Sequence, residues 1–203
     1  METLMATAGM VMVAAITPGP NNFVVMRAGA RAGWLRALPE MAGAVLGTLA
    51  MLILVVLGGD VLFSAVPRAR GWLALAGALY LVWLGLGLVV GSFRRAPANA
   101  PTDAPADPPG LPSGAASLFV FQFLNPKGWV MVLTAGAAVQ EGSVLASLAW
   151  LAPLFLLIPT LCLVAWAALG SLFSRALRNR RVQAWFDRVM GVLLCASALP
   201  LLA

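Results

Sequence analysis

Apolar runs long enough to cross a bilayer recur along this chain, at approximately 3–26, 38–66, 71–93, 115–139, 144–172 and 183–203. A hydrocarbon layer of about 30 Å needs roughly 20 mostly apolar residues in helical form. The expectation is therefore an all-α integral membrane protein with six transmembrane helices. The sixth run is the weakest, because Asp187 and Arg188 interrupt its start, and a five-helix count is the alternative. Composition excludes a water-soluble domain: 62% of residues are hydrophobic and 10% charged, against about 45–50% and 25% in soluble proteins. One soluble core of this length could not hide that much apolar surface.

A formal charge of +6 could suggest a nucleic-acid partner, but the cations fall between the apolar runs. Arg27, Arg31 and Arg36 follow the first run, Arg94 and Arg95 the third, and Arg175, Arg178, Arg180, Arg181 and Arg188 surround the last connection. The alternate connections carry only Arg68 and Arg70, with Asp60 and Glu141. Basic loops stay in the cytoplasm, so both termini are expected on the non-cytoplasmic side. The segment Met1 to Met26 lacks a basic start and a convincing cleavage site, and is read as a retained helix. Trp34, Trp72, Trp129 and Trp185 fall near span ends, as interfacial anchors do. Histidine is absent, and Cys162 and Cys195 have no metal-ligand or redox spacing, so neither a metal nor a cofactor is expected.

The stretch RRAPANAPTDAPADPPGLPSG, residues 94–114, is too polar and proline-rich to enter lipid. It divides the chain into residues 1–93 and 115–203, each with three runs. Three is odd, so two homologous halves would insert in opposite orientations, giving two inverted three-helix repeats. Gly43, Gly47, Gly77, Gly85 and Gly87 are expected to let helix backbones approach closely.

Two interruptions carry the chemistry. Thr17-Pro18-Gly19-Pro20-Asn21-Asn22 lies inside the first run, and Gln122-Phe123-Leu124-Asn125-Pro126-Lys127-Gly128 inside the first run of the second half. Proline removes a backbone donor and strands carbonyls upstream. In lipid such a break survives only where protein or a wet cavity receives the freed groups. A paired break at matching places in two halves points to a carrier's binding site. Lys127 strengthens the reading, since an ammonium inside a span must face a cavity, a partner or the interface.

TPGPNNFVVMRAGARAGWLRALPEMAGAVLG at 17–47, FQFLNPKGWVMVLTAG at 121–136 and WFDRVMGVLLCASAL at 185–199 resemble the LysE/RhtB-type amino-acid exporters. The resemblance implies a bacterial inner-membrane secondary transporter that exports an amino acid or related small zwitterion, driven by the proton-motive force. Motif positions carried over are Pro18, Gly19, Pro20, Asn21, Gly33, Gly43, Gly47, Asn125, Pro126 and Lys127. The candidate substrate residues are Pro18, Gly19, Pro20, Asn21, Asn22, Gln122, Asn125, Pro126 and Lys127. Lys127 and a half-helix N-terminus would hold the substrate carboxylate, and carbonyls freed near Pro18 and Pro20, with Asn21 and Asn125, its ammonium. Glu40 and Lys127 are candidates for proton coupling; Glu40 departs from the family pattern, and pairing with Arg36 is its competing role. Asp60 is a weaker candidate at the outer interface. A divalent-cation exporter is the main alternative, disfavoured by the scarcity of histidine and intramembrane carboxylates. A non-transporting subunit or a membrane enzyme lacks support, since no clustered nucleophile or metal ligands appear, and no phosphate-binding loop suggests use of ATP. The expected partners are lipid, an amino acid and protons; a homodimer would suit so short a carrier.

Overall fold

The computed structural model describes residues 2–65, 69–94, 111–137 and 143–199, and these are helical without a strand. Helix α1 is Glu2–Ile16 and α2 Pro20–Ala32; a 3-10 turn, Trp34–Ala37, leads into α3, Leu38–Ala65, and α4 is Ala69–Arg94. In the second half α5 is Ala115–Gln122, α6 Pro126–Ala137, α7 Val144–Leu172, α8 Ser174–Leu177 and α9 Arg180–Ala196. Most of the proline-rich segment, with Arg95, Arg68, Glu141 and residues 200–203, lies outside the described residues, as do the side chains of Asp60, Arg70 and Arg94.

Three stretches are long and apolar enough to span a membrane unbroken: Trp34–Gly58, Leu75–Phe93 and Val144–Leu172. Two further spans are broken. Helices α1 and α2 meet at a bend of 53°, and α5 and α6 at 59°. This makes three to five candidate spans among the described residues, not six. The expected sixth corresponds to α9, which has 17 residues and opens on Arg180 and Arg181.

The two halves interlock. The broken span α1–α2 packs on α7, the broken span α5–α6 packs on α3, and α4 packs on α9. Lipid tails are as apolar as leucine, so no hydrophobic force draws helices together here, and close backbone approach has to supply the contact energy. Glycine permits it. A Cβ on Gly29 of α2 would overlap the Ala167 carbonyl of α7, one on Gly170 of α7 the Met26 carbonyl of α2, and one on Gly43 of α3 the Ala115 carbonyl of α5. Gly85 and Gly191 face each other across α4 and α9, while Gly77 receives the Pro126 ring. Gly87, grouped with these by its spacing, has open space beside it. Gly29→Ala and Gly170→Ala are each expected to destabilise the bundle by about 1–3 kcal/mol, read as a lowered thermal midpoint in detergent, whereas Gly87→Ala should not lower the midpoint.

Three charges occupy unexpected positions. Arg27 belongs to no loop: it lies inside α2, which runs six residues further than the apolar run suggested, and is 3% exposed. Its Nη1 donates to Asp187 Oδ1 of α9 at 2.9 Å. Asp187 is 0% exposed and lies, like Arg188, within α9. Arg188 Nε donates to Ser92 Oγ of α4 at 2.9 Å, with its guanidinium 3.9 Å from the Phe93 ring centroid. These residues interrupt the apolar pattern because they fasten α9 to α2 and α4.

Candidate functional site

Each break opens its second half-helix in the same way. Pro20 and Pro126 begin α2 and α6, where the fixed φ suits a helix and the missing N–H has no partner to lose. The N-terminal ends of two half-helices, each with partial positive charge, are thereby placed in the interior of the protein. Gly19 precedes the first; a Cβ there would stand 3.2 Å from Lys127 Nζ, so the absence of a side chain lets the lysine reach across.

The carbonyls stranded at the end of α1 are not left open. Thr17 N donates to Val13 O and Thr17 Oγ1 to Ala14 O at 3.1 Å. Asn22 Nδ2 reaches back over the break to Ala15 O at 2.9 Å and Thr17 O at 2.8 Å, and Trp166 Nε1 of α7 donates to Ile16 O at 3.2 Å. The second break is closed similarly: Trp129 Nε1 donates to Phe123 O at 2.9 Å, and Asn125 Oδ1 accepts from Lys127 N at 3.2 Å. Trp129, expected as an interfacial anchor, is therefore a clasp over a break. Trp34, Trp72 and Trp185 are exposed on the helix surface.

The breaks also touch each other. The Asn21 and Gln122 amides form a reciprocal pair, Asn21 Nδ2 donating to Gln122 Oε1 at 2.9 Å and Gln122 Nε2 to Asn21 Oδ1 at 3.0 Å. Lys127 Nζ donates to Thr17 O at 2.6 Å and Thr17 Oγ1 at 2.8 Å. Residues more than a hundred positions apart are thus tied in two places, directly between the interrupted segments.

Between them lies a cavity of about 50 Å³, open at its mouth. Of the residues singled out from the sequence, Gly19, Pro20, Asn21, Asn22, Gln122, Asn125 and Lys127 line it; Pro18 and Pro126 do not. Gly128, the last residue of the second interruption, also lines it, and Thr48, Met131, Pro159 and Leu163 complete much of the wall and were not singled out. Thr48 had a signal, being the polar neighbour of Gly47 on a helix with little other polarity. The others are apolar or small and become recognisable only in three dimensions. Glu40 stays apart, on the first turn of α3. Its Oε1 accepts from Gly114 N at 3.2 Å, at the start of α5, in place of a pairing with Arg36; its Oε2 is buried without a hydrogen-bond partner. Among the described residues no three His, Cys, Asp or Glu side chains gather as a metal site would require.

A helical bundle with several membrane-crossing stretches, two of them broken around a cavity that amide and lysine side chains line, is a multi-pass membrane protein. The profile of the LysE type translocator family matches residues 12–203, and the chain belongs to that family, whose members are transporters and not enzymes. The chain is also similar to the cysteine/O-acetylserine efflux protein of Escherichia coli (strain K12), 29% identical over 173 residues that cover 83% of this chain and 82% of that one. The protein of the same description from Shigella sonnei (strain Ss046) matches at the same identity and coverage, and that of Escherichia coli O139:H28 at 28%. No solved structure matches.

Proposed function

We propose that this translocator exports a small zwitterion, an amino acid or close derivative, from the cytoplasm, and that the cavity between the two helix breaks is its binding site. The observation that carries the reading is the meeting of both breaks around Lys127 and the Asn21–Gln122 pair. An ammonium and two half-helix N-termini form a natural receptor for a carboxylate. The efflux proteins to which the chain is similar are named for cysteine and O-acetylserine, both small and neutral overall, and the cavity wall suits such side chains with Met131, Pro159 and Leu163.

The proposal includes two inverted three-helix repeats, 1–93 and 115–203, joined through 94–114, with α9 as the sixth span. Packing supports it: exchanging α1–α2 with α5–α6, α3 with α7, and α4 with α9 turns each principal contact into another of the same set. It also places the protein in a bacterial inner membrane with both termini outside the cytoplasm. With Arg27 and Arg188 removed from the loop cations, Arg31, Arg36, Arg175, Arg178 and Arg181 are still exposed, at helix ends or in the short segments between the long helices, as that orientation needs. A proton gradient is the proposed driving force, with Lys127 the titratable group inside the cavity and Glu40 a second candidate outside it; a homodimer completes the proposal.

The test is efflux from proteoliposomes loaded in turn with labelled neutral, acidic and basic amino acids, with and without an imposed proton gradient. Export of at least one neutral amino acid above empty vesicles, accelerated by the gradient, is the expected result. No flux for any of them, with divalent-cation flux in its place, would overturn the reading.

A further inference from the structure

We infer that the cavity recognises its substrate through the carboxylate alone: the α-ammonium is dispensable, so small 2-hydroxy acids are ligands and the corresponding amines are not. The inference rests on the cavity being the transport site and concerns which half of the zwitterion it reads.

Donors and acceptors are unequally supplied in the cavity. A substrate ammonium needs oxygens, preferably charged ones, and the residues lining the cavity include no carboxylate. The neutral oxygens that a broken helix would ordinarily offer are already engaged. Ala15 O and Thr17 O accept from Asn22, Ile16 O from Trp166, and Thr17 O also from Lys127. Phe123 O at the second break accepts from Trp129. Of the side-chain oxygens, Asn21 Oδ1 and Gln122 Oε1 are taken by each other's amides and Asn125 Oδ1 by Lys127 N, while Asn22 and Thr48 bond only as donors, and their neutral oxygens can be served by a substrate hydroxyl as well as by an ammonium. An entering cation would meet no charged acceptor there and would sit beside the Lys127 charge, which repels it.

A carboxylate finds the opposite situation. An ammonium has three protons, and Lys127 places two hydrogen bonds, both on Thr17, leaving one proton to offer. The first backbone bond of α2 is Phe23 N to Gly19 O, so the N–H groups of Asn21 and Asn22, which precede it, have no acceptor inside the helix. Both residues line the cavity. The site holds unspent donors and positive charge but no anionic acceptor, which distinguishes it from a receptor balanced for a zwitterion. A second positive charge on the side chain, as in lysine, meets the same repulsion.

The experiment uses the purified full chain in proteoliposomes, with labelled cysteine under reductant as tracer and three competitors: 3-mercaptolactate, in which a hydroxyl replaces the ammonium; cysteamine, which lacks the carboxylate; and lysine. The expected result is inhibition by 3-mercaptolactate within about fivefold of unlabelled cysteine, with cysteamine and lysine at least about tenfold weaker, the loss of a charge-assisted hydrogen bond. Inhibition by cysteamine without inhibition by 3-mercaptolactate overturns the inference and leaves the transport reading standing. Failure of both overturns it as well, since the ammonium would then also be required. Absence of cysteine flux above empty vesicles removes the proposed site itself for this substrate, and the inference with it.

Discussion

Replacing Lys127 by Met is expected to reduce amino-acid efflux about a hundredfold while leaving the protein folded in the membrane. Truncating one partner of a buried, hydrogen-bonded charge pair costs about 2–5 kcal/mol, and each 1.4 kcal/mol is about tenfold. The bound carboxylate would lose its counter-charge in the cavity. Folding should tolerate the change, because Thr17 O retains its bond from Asn22 Nδ2 and Thr17 Oγ1 its bond to Ala14 O. Methionine also keeps the length of the stem that passes Gly19. Lys127→Arg should be little better, since a planar guanidinium does not reproduce the compact ammonium that bonds both Thr17 O and Thr17 Oγ1. Initial efflux rates from proteoliposomes, normalised to monodisperse protein, give the measurement. A rate within about threefold of wild type, far short of the loss such a charge implies, would remove the ammonium from the site.

The breaks themselves were legible in the sequence because proline acts locally: Pro18, Pro20 and Pro126 leave no continuous helix to draw. That the breaks meet could not be read from local chemistry, since Asn21 and Gln122 are 101 residues apart and only the interlocking of α2 with α7 and α5 with α3 brings them together. Trp129 shows the opposite difficulty. A tryptophan near a span end resembles an interfacial anchor until its Nε1 is found on Phe123 O. Spacing alone also failed for glycine, because four-residue periodicity says which face a glycine occupies but not what stands opposite; Gly87 faces open space while Gly29 and Gly170 carry the tightest crossing. Arg27 was assigned to a loop for the same reason: charge near the end of an apolar run reads as solvent exposure, and its partner Asp187 is 160 residues away.

That buried pair gives the largest expected effect on stability. Arg27→Ala leaves the Asp187 carboxylate, 0% exposed, without the guanidinium that lies 2.9 Å away. Breaking a buried pair from one side costs about 3–5 kcal/mol, a large share of the roughly 5–15 kcal/mol that holds a folded protein together. The guanidinium also covers the Phe23 ring, 5.6 Å from its centroid, and Phe23 belongs to the apolar cluster joining α4 and α9, so the alanine loses packing as well as charge. Arg27→Ala and Asp187→Ala should each cause most of the detergent-extracted protein to aggregate on size-exclusion chromatography. Replacing both, Arg27→Met with Asp187→Leu, removes the two charges together and fills their volume, and buried pairs exchanged in this way are often neutral or stabilising. The double variant should therefore elute as the wild type does, with a non-additive coupling of at least about 2 kcal/mol in thermal unfolding. Single variants as stable as wild type would mean that water reaches Asp187 and that α9 is held to α2 by packing alone. A double variant as unstable as the singles would instead mean that the pair's shape, and not its charge balance, fixes the position of α9.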